Sequence, residues 1–390
     1  MRLRNLAGDT ATLVILRHSD ETRSTRILEI ENQLESNQSM IARPLLACGL
    51  LLLCLCLSLV GCVAAPAYEG PATEHFDGRV FRNTVPSDKS PWDLMRLAWG
   101  TLTNAEAWPD HVANTSASVP PERYDQGMLV TYINHSTVLI QVQGINILTD
   151  PIYAERASPF SWIGPKRVRD PGVAFDDLPP IDVILISHNH YDHLDKDTLM
   201  RIAERQAEPP LILAGLGNGA YFAELGLPTF QDMDWNDRVE HAGLSFHFVE
   251  CRHRSGRGLS DQMRTLWGSF VIETEAGRIY FAGDTGYGPH FKEQGARFGK
   301  FALSILPIGA YEPRWFMADV HLDPAQAVQA HLDLNSRRSL GMHFGVFQLT
   351  YEGIDDPIVE LEEALRVAEL DQDVFWVFEP GAAGKPDVGY

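Results

Sequence analysis

Cysteine is scarce in this 390-residue sequence, and its five cysteines are unevenly placed. Four of them lie within the first 62 residues, namely Cys48, Cys54, Cys56 and Cys62, whereas the rest of the chain contains Cys251 alone. An internal disulfide needs two cysteines in the folded body, so this body is held together without one. Its stability must come from a hydrophobic core, for which a 45% hydrophobic content is sufficient, and from any metal that it binds.

Basic residues are also few, with 32 Lys and Arg against 52 Asp and Glu, and the formal net charge is -20. Nucleic-acid-binding proteins need a basic surface that displaces counterions, so this balance argues against nucleic acid as a partner. It also argues against attachment to an anionic bilayer through a polybasic patch. No internal repeat is visible at the periods of solenoid proteins. Any contact with a membrane must therefore depend on something other than basic charge.

The apolar run 45–60 contains no charged residue and follows Arg43 closely. A basic residue, an apolar stretch and small residues before a cleavage point are typical of a secretory signal peptide. The run leads into Leu59-Val60-Gly61-Cys62, which resembles a bacterial lipobox, the motif whose cysteine is lipidated after cleavage. A single transmembrane helix is the alternative, but the run is short for a span. We therefore expect an exported bacterial lipoprotein, anchored to the membrane through Cys62 on the periplasmic face.

Two details refine this expectation. By analogy with lipoprotein sorting in Gram-negative cells, Val63 rather than Asp after the cysteine favours the outer membrane. A signal peptide should begin near the initiator, so Met40 is the expected start, and residues 1–39 are interpreted as an extension that is not normally made. The predicted organisation is then a signal peptide at 40–61, a tether and packed segment at 62–121, and one large domain at 122–390.

The large domain contains β-rich runs first, and then strands that alternate with helices. The predicted strands are Met128–Ile133, Thr137–Val142, Ile145–Thr149, Ile181–Ile186, Leu244–Val249, Ser269–Glu273, Arg278–Ala282, Leu303–Leu306 and Ser339–Met342. The predicted helices are Lys196–Arg205, Pro324–Leu332 and Pro357–Leu370, and one apolar helical stretch lies near 92–99 in the segment before the domain. This order favours a sandwich of sheets flanked by helices.

The segment that carries the chemistry follows the predicted buried strand Ile181–Ile186 directly. Within six residues it places four polar side chains, namely His188, His190, Asp192 and His193. In extended backbone the first three face one way, whereas His193 points elsewhere. Three imidazoles and a carboxylate are typical ligands of a borderline metal such as zinc. A solvated histidine-rich loop is the competing interpretation, and the specific spacing argues against it.

This His-x-His-x-Asp-His pattern after a buried strand is similar to the signature of the metallo-β-lactamase superfamily. The wider sequence resembles one branch, the N-acyl phosphatidylethanolamine-hydrolysing phospholipase D family. The matching stretches are Leu148 to Ile152, Gly164 to Arg167, Leu178 to Asp182, Leu185 to Asp195, Leu266 to Ser269, Phe281 to Tyr287 and Pro307 to Met317. The resemblance covers roughly Thr131 to Pro380, and it implies an α/β (α+β) fold, the αββα sandwich of that superfamily.

The resemblance also implies a centre of two metal ions. It assigns His188, His190 and His253 to the first metal, Asp192, His193 and His343 to the second, and Asp284 to a bridge between them. Two zinc ions per chain are expected, with iron or manganese as alternatives. The later ligands His253, Asp284 and His343 each follow a predicted strand. Four other histidines lack such support and are interpreted as structural or surface residues, namely His135, His241, His247 and His331.

The activity that the resemblance implies is a zinc-dependent phosphodiesterase of phospholipase D type, with Asp284 and His321 as catalytic residues. His321 would protonate the leaving alkoxide or orient the phosphate, and Asp150 would support a ligand. Trp315 to Met317 are either core residues or a wall for acyl chains.

The segment Cys251 to Gly258 departs from the family in being more basic. This segment predicts a basic rim, formed by Arg252, Arg254 and Arg257, that holds phosphate or an anionic head group. A solvated loop is the alternative.

Other functions stay open at this point. Another hydrolase of the same fold, either a lactonase or a nucleotide phosphodiesterase, is the first alternative. A non-catalytic metal-binding lipoprotein is the second, and a bridging Asp284 argues against it because one metal needs no bridge. The expected partners are a phospholipid substrate and a membrane reached through the lipid anchor, without nucleic acid. A homodimer is left open, because the sequence does not determine the oligomeric state.

Overall fold

The computed structural model describes residues 64–86, 89–117 and 119–387. The predicted initiator Met40, the signal peptide at 40–61 and the lipidation site Cys62 lie outside these ranges. Within them, no helix combines the length and the apolar content that crossing a bilayer requires. The segment before the large domain packs onto it from its first described residues. Ala65 N donates to Asp261, and the rings of Phe76 and Phe81 are fully buried in the main core.

The first of two sheets has seven strands, in the order β14-β1-β2-β3-β4-β5-β6. They are β1 (Met128–Asn134), β2 (Thr137–Val142), β3 (Ile145–Thr149), β4 (Val183–Ile186), β5 (Leu211–Gly215), β6 (Phe230–Met233) and β14 (Ala383–Gly384). The strands β1 to β3 form an antiparallel meander, whereas β3 to β6 pair in parallel. The continuous apolar run of β4 is explained by burial of both its faces. Leu185 lies in the core between the sheets, and its neighbour Ile186 faces the helices outside.

The second sheet also has seven strands, in the order β13-β12-β11-β10-β9-β8-β7. They are β7 (Arg238–His241), β8 (Leu244–Val249), β9 (Ser269–Thr274), β10 (Gly277–Phe281), β11 (Leu303–Pro307), β12 (Ser339–Met342) and β13 (Phe375–Trp376). Pairing is antiparallel from β7 to β10 and parallel from β10 to β13. Both sheets are therefore mixed, and the main core lies between them.

The described ranges contain seven α-helices, and several of them cover the outer faces of the sheets. The seven are α1 (Pro91–Thr103), α2 (Lys196–Arg205), α3 (Asn218–Glu224), α4 (His290–Phe298), α5 (Arg314–Met317), α6 (Pro324–Asp333) and α7 (Asp356–Val367). Leu199 of α2 and Phe222 of α3 pack on the outer face of the first sheet, against Ile186. Val328 of α6 and Leu361 of α7 are buried with residues of the second sheet. This arrangement is the αββα sandwich that the sequence predicts.

The sequence prediction located the long apolar elements and missed several short ones. All nine predicted strands are present, with shifts of one or two residues at some ends. The elements that were not predicted are the strands β5, β6, β7, β13 and β14 and the helices α3, α4 and α5, and all of them except α4 have seven residues or fewer. Helix α7 ends at Val367 rather than at Leu370, because Glu369 takes a left-handed backbone conformation with φ 56° and the chain turns there.

Candidate metal centre

Most of the predicted ligands follow strand ends that meet at one edge of the sandwich. His188 comes two residues after β4, Asp284 three residues after β10, and His343 directly after β12. Gly283 permits this close approach, because a Cβ atom at its position would lie only 2.4 Å from the Cβ atom of Ser187. Its φ of 58° also favours glycine. The side chains at these strand ends therefore converge in one small buried volume.

The first group of converging side chains consists of His188, His190 and His253. The Nδ1 atom of His190 lies 2.8 Å from Nε2 of His188 and 3.4 Å from Nε2 of His253. Burial lowers the pKa of all three imidazoles, to about 3 for His190 and His253. They are therefore neutral at pH 7, and each offers a lone pair to a cation.

The second group consists of the predicted ligands Asp192, His193 and His343, and His135 lies with them. Asp192 Oδ2 lies 3.5 Å from His193 Nε2 and 3.3 Å from His343 Nε2. Asp284 Oδ2 lies 3.1 Å from each of the same two nitrogen atoms. It also lies 4.0 Å from His188 Nε2 and 3.8 Å from His253 Nε2. Asp284 therefore stands between the two groups.

The division of these residues differs from the extended-backbone expectation, which kept Asp192 with His188 and His190 and left His193 apart. The carbonyl of His190 accepts hydrogen bonds from the N–H groups of His193 and Leu194, so the chain turns after His190. This turn directs Asp192 and His193 to the second group, whereas His188 and His190 remain in the first. Extended backbone would have left His193 pointing away from the other three. The physical reason for the difference is a local turn whose hydrogen bonds side-chain alternation does not predict.

The charges and the free polar atoms of this volume fit a metal. Burial opposes ionisation of Asp192 and Asp284, but the nearby His193 holds the pKa of both carboxyls well below the usual range. Burial likewise opposes a charged imidazole, yet Asp284 raises the pKa of His193 well above its usual value and that of His343 to about 9. The Nε2 atoms of both histidines and Oδ1 of Asp284 are buried without a hydrogen-bond partner. A metal cation would satisfy these atoms and would take the place of the protons that Asp284 holds on the two imidazoles.

Asp150 fixes one ligand in each group. Its Oδ2 atom lies 2.6 Å from His193 Nδ1 and also accepts the hydroxyl of Ser187 at 2.6 Å. The same Ser187 oxygen lies 2.9 Å from His188 Nδ1. His253 is fixed separately, since its Nδ1 lies 2.9 Å from the carbonyl oxygen of Val320. In each of these histidines, Nδ1 is engaged by a neighbour and Nε2 is left to face the centre.

Two further residues hold the ligand loops from outside. Arg257 is buried, and its guanidinium donates hydrogen bonds to the carbonyl oxygens of Asn189 and Leu194. These two residues lie near the two ends of the loop that carries His188, His190, Asp192 and His193. Asn83, from the segment before the large domain, donates to the carbonyl of His253 at 2.7 Å and accepts its N–H at 3.1 Å. Both contacts join segments that are far apart in the sequence.

The predicted basic rim is therefore wrong for two of its three arginines. Arg252 forms an ion pair with Asp319 at 2.7 Å, and Arg257 is committed to the ligand loop. Arg254 is partly buried, and it forms no ion pair with another residue of the described ranges. Its positive charge contributes to the lowered pKa of His190 and of His253. Recognition of an anionic group thus stays a prediction for Arg254 alone.

His321 lies beside the centre, as its position in the family-like segment predicts. It is buried, and its Nδ1 lies 3.9 Å from Asp284 Oδ2 with no hydrogen-bond partner. Burial lowers the pKa of His321 well below its usual value, so the ring is neutral at pH 7. Of the nearby apolar triplet, Phe316 and Met317 are buried with Val320, as core packing requires, while Trp315 is only partly buried at their edge.

The sequence reasoning missed His135, which it interpreted as a structural or surface residue. His135 is buried in the turn between β1 and β2, and its Nε2 lies 3.2 Å from Asp192 Oδ2. The sequence shows four consecutive polar residues, 134–137, where two apolar strands meet, but only the structure shows that all four are buried. The other three histidines of that group lie apart from the metal centre, namely His241, His247 and His331.

Comparisons with known proteins agree with this geometry. Residues 145–344, just over half of the chain, match the model of the β-lactamase superfamily domain. N-acyl-phosphatidylethanolamine-hydrolyzing phospholipase D 1 of Caenorhabditis elegans is 36% identical over 263 residues, which are 65% of this chain and 74% of the relative. Outer membrane protein RomA of Klebsiella pneumoniae is 43% identical over 102 residues, which are 26% of this chain and 75% of the relative.

A solved structure shares the fold. It is an isothiocyanate hydrolase from gut bacteria of Delia radicum, with a TM-score of 0.53 and 19% sequence identity. The match covers 66% of this chain and 98% of the other. At this low identity the likeness concerns the fold alone, because one fold supports many reactions. From the matching domain, the phospholipase relative and the clustered ligands together, we conclude that the chain belongs to the β-lactamase superfamily, as a metal-dependent hydrolase related to the N-acyl-phosphatidylethanolamine-hydrolysing phospholipases D.

Proposed function

We propose that this chain is a dinuclear phosphodiesterase of phospholipase D type, which hydrolyses N-acyl phosphatidylethanolamine to an N-acylethanolamine and phosphatidate. One observation carries the dinuclear part of the proposal. Asp284 Oδ2 lies within 4.0 Å of the Nε2 atoms of four histidines that belong to two groups. A carboxylate oxygen placed between two sets of nitrogen ligands is suited to two cations rather than one. The substrate class is suggested by the phospholipase relative.

The proposed ligand sets follow the two groups. The first metal would be held by His188, His190 and His253. The second would be held by Asp192, His193 and His343, and Asp284 would contact both. Zinc suits sites rich in imidazole with few carboxylates, and iron or manganese are the alternatives. When bound, such a pair supplies Lewis acidity toward a phosphate ester and toward water. The protein itself supplies fixed imidazole orientations, through Asp150 and through the carbonyl of Val320.

His321 would act on the substrate phosphate. Because burial keeps its pKa well below the usual value, the ring is neutral at pH 7 and carries one N–H group. A neutral imidazole donates a hydrogen bond to a phosphate oxygen readily, whereas it is a much weaker acid than an imidazolium ion and protonates a leaving alkoxide poorly. Of the two roles that the sequence left open, this pKa therefore favours orientation of the phosphate. Trp315, partly exposed next to the buried Phe316, is the proposed edge of an acyl-chain surface.

The proposal is tested with purified protein, vesicles that contain N-acyl phosphatidylethanolamine, and water enriched in oxygen-18. We expect N-acylethanolamine and phosphatidate by mass spectrometry, with the label in the phosphatidate alone. In that reaction the bond between phosphorus and the ethanolamine oxygen breaks. The water oxygen bonds to phosphorus, and the leaving oxygen takes up a proton. Label in the N-acylethanolamine would indicate cleavage at carbon and would contradict the proposal.

A substrate panel completes this test, with a simple lactone and a cyclic nucleotide beside the phospholipid. Rapid opening of the lactone or cleavage of the nucleotide, without attack on phospholipid, would leave the family assignment intact and overturn the phospholipase proposal. Protein that binds metal but hydrolyses none of these would support a binding role instead. The His331→Gln variant is a suitable control for all assays, because His331 is buried away from the centre and contacts Ser339.

A further inference from the structure

His135 contacts two ligands of the second group, although it lies in a different part of the sequence. Its Nε2 atom lies 3.2 Å from Asp192 Oδ2, and its ring centroid lies 4.0 Å from that of His343. Its backbone carbonyl also accepts the N–H of His343 at 2.9 Å. One residue in the turn between β1 and β2 therefore holds one ligand through its side chain and another through its main chain.

We propose that His135 is a positioning residue, which holds the second half of the metal centre in place without binding the metal itself. The inference rests on the dinuclear centre of the proposed function. The side chain of Asp192 is 13% exposed and comes from a turn, so its own backbone does little to fix its orientation. A hydrogen bond from His135 Nε2–H leaves the second lone pair of the same carboxylate oxygen available to a cation.

The His135 ring is itself held firmly. The residue is 1% exposed, and the ring packs edge-on against Phe347 at a centroid distance of 5.2 Å. Its backbone has a φ of 43°, a left-handed conformation that few residue types adopt easily. That conformation lets the short turn present the side chain and the carbonyl oxygen of one residue to the same site. A ring that is fixed by packing can in turn fix the carboxylate that it contacts.

The first half of the centre does not depend on His135. Ser187 contacts Nδ1 of His188, and the carbonyl of Val320 accepts from His253. The shortest contact of His190 is with His188 itself. None of these contacts involves the turn between β1 and β2. Loss of the His135 side chain should therefore weaken binding of the second metal and leave binding of the first unchanged.

The experiment compares two substitutions of His135. In His135→Asn the shorter side chain places its amide near the position of the histidine Nδ1, so the contact between Nε2 and Asp192 is lost. Asparagine tolerates the left-handed backbone conformation of this position. In His135→Gln the amide nitrogen reaches the position of Nε2 and can donate to Asp192 again. His331→Asn is the matched control, because His331 is another buried histidine whose ring contacts Ser339 and none of the ligands. Metal content is measured by elemental analysis, and affinity by titration of zinc against a competing chelator.

We expect two metals per chain in the wild type, in His135→Gln and in His331→Asn. In His135→Asn we expect one tightly held metal and a second that binds roughly 10- to 100-fold more weakly, as is usual when an outer partner of a ligand is removed. An unchanged second affinity in His135→Asn would overturn the inference. Equal weakening of both metals would also overturn it, because that result indicates a general structural role. A wild type without metal would overturn the proposed dinuclear centre, and this inference with it.

A second measurement needs no substitution and covers the case in which His135→Asn does not fold. Protein labelled with nitrogen-15 in its histidines is loaded with cadmium-113 and examined by NMR. We expect His193 and His343 to show coupling to cadmium, and His135 to show none while its Nε2–H exchanges slowly with water. Coupling between His135 and cadmium would make it a ligand and refute the positioning role. A rapidly exchanging Nε2–H would refute it as well.

Discussion

At the scale of single residues, Asp284 has the largest part in the proposed chemistry, because its Oδ2 atom contacts both groups of histidines. Asp284→Asn keeps the size of the side chain and removes its charge. We expect loss of at least one metal, with affinity lowered by about 100-fold or more, since removal of an outer partner alone costs up to that much. Hydrolysis should fall below detection. Elemental analysis and the phospholipid assay measure the two effects.

Asp232→Asn is the matched control for this prediction. Asp232 is another largely buried carboxylate, which accepts the N–H groups of Gly217 and Gly219 at the start of α3, apart from the metal centre. Its replacement should leave the metal content unchanged. A fully metal-loaded and active Asp284→Asn protein would show that the bridge is not needed, and the dinuclear assignment would then be wrong.

The two halves of the centre should also respond differently to pH. Burial lowers the pKa of His190 and His253 to about 3, so a cation that binds the first half displaces no proton from them near neutrality. In the second half, burial is outweighed by Asp284, which raises the pKa of His343 to about 9. A cation must displace that proton at any lower pH. The affinity for the second metal should therefore rise roughly tenfold per pH unit for each proton displaced, up to about pH 9.

Calorimetric titration at pH 7, in two buffers of different ionisation enthalpy, measures these protons directly. We expect at least one proton released with the second metal and none from the imidazoles of the first group. The His331→Gln protein should give the same pattern as the wild type. Equal proton release in both binding steps would contradict the pKa difference between the two halves.

At the scale of structural elements, the segment before the large domain takes part in the metal centre. Asn83 binds the backbone of His253 through both ends of its amide, and its oxygen also accepts the indole N–H of Trp267. This segment lies outside the residues that match the family domain, which begin at 145. A contact from outside the residues that match the family domain therefore fixes a ligand proposed for the first metal.

Asn83→Ala removes these hydrogen bonds and leaves buried groups without partners, which should destabilise the fold by about 1–3 kcal/mol. We expect the first metal to bind roughly 10-fold more weakly, because His253 loses an outer support. Thermal unfolding and metal titration measure the two effects. Asn114→Ala, in the same segment but bound to the exposed carbonyl of Asp170, is the control. If Asn83→Ala binds the first metal as tightly as the control does, Asn83 does not support the ligand His253.

The elements also differ in how well local sequence predicts them. The continuous apolar run of β4 and the aspartate–proline start of α6 are local signals, and both elements lie where those signals indicate. The short strand β7 has an alternating pattern with exposed charged residues and no apolar run. Its pairing with β8 makes it a strand, and pairing between neighbours is a property of the folded sheet.

At the scale of the whole molecule, an acidic protein related to phospholipid hydrolases needs a means of reaching lipid without basic charge. The formal net charge is -20, and no helix in the described ranges can span a bilayer. We propose that a lipid on Cys62 is that means, since anchoring raises the effective concentration of the enzyme near its substrate. The proposal concerns residues outside the described ranges and rests on the sequence of the lipobox-like segment.

Cys62→Ser is expected to abolish lipidation and to release the protein from the membrane fraction, or to leave it as an unprocessed precursor. Fractionation, together with mass spectrometry of the mature N-terminus, checks both outcomes. Cys251→Ser is the control, because Cys251 is buried in the core and should not affect the location of the protein. A Cys62→Ser protein that stays in the membrane in mature form would indicate a different anchor.

The sequence by itself determined the kind of fold and the identity of the proposed ligands. The strand pattern and the His-x-His-x-Asp-His spacing are local properties, whereas the resemblance to the family supplied His253, Asp284 and His343. The tertiary structure gives the physical cause of the grouping of the ligands, because the turn after His190 directs Asp192 and His193 away from His188 and His190. It also added Asn83, His135 and Arg257 to the surroundings of the centre. Their contacts join residues that are far apart in the chain, and only the packing of the two sheets and their loops brings such residues together.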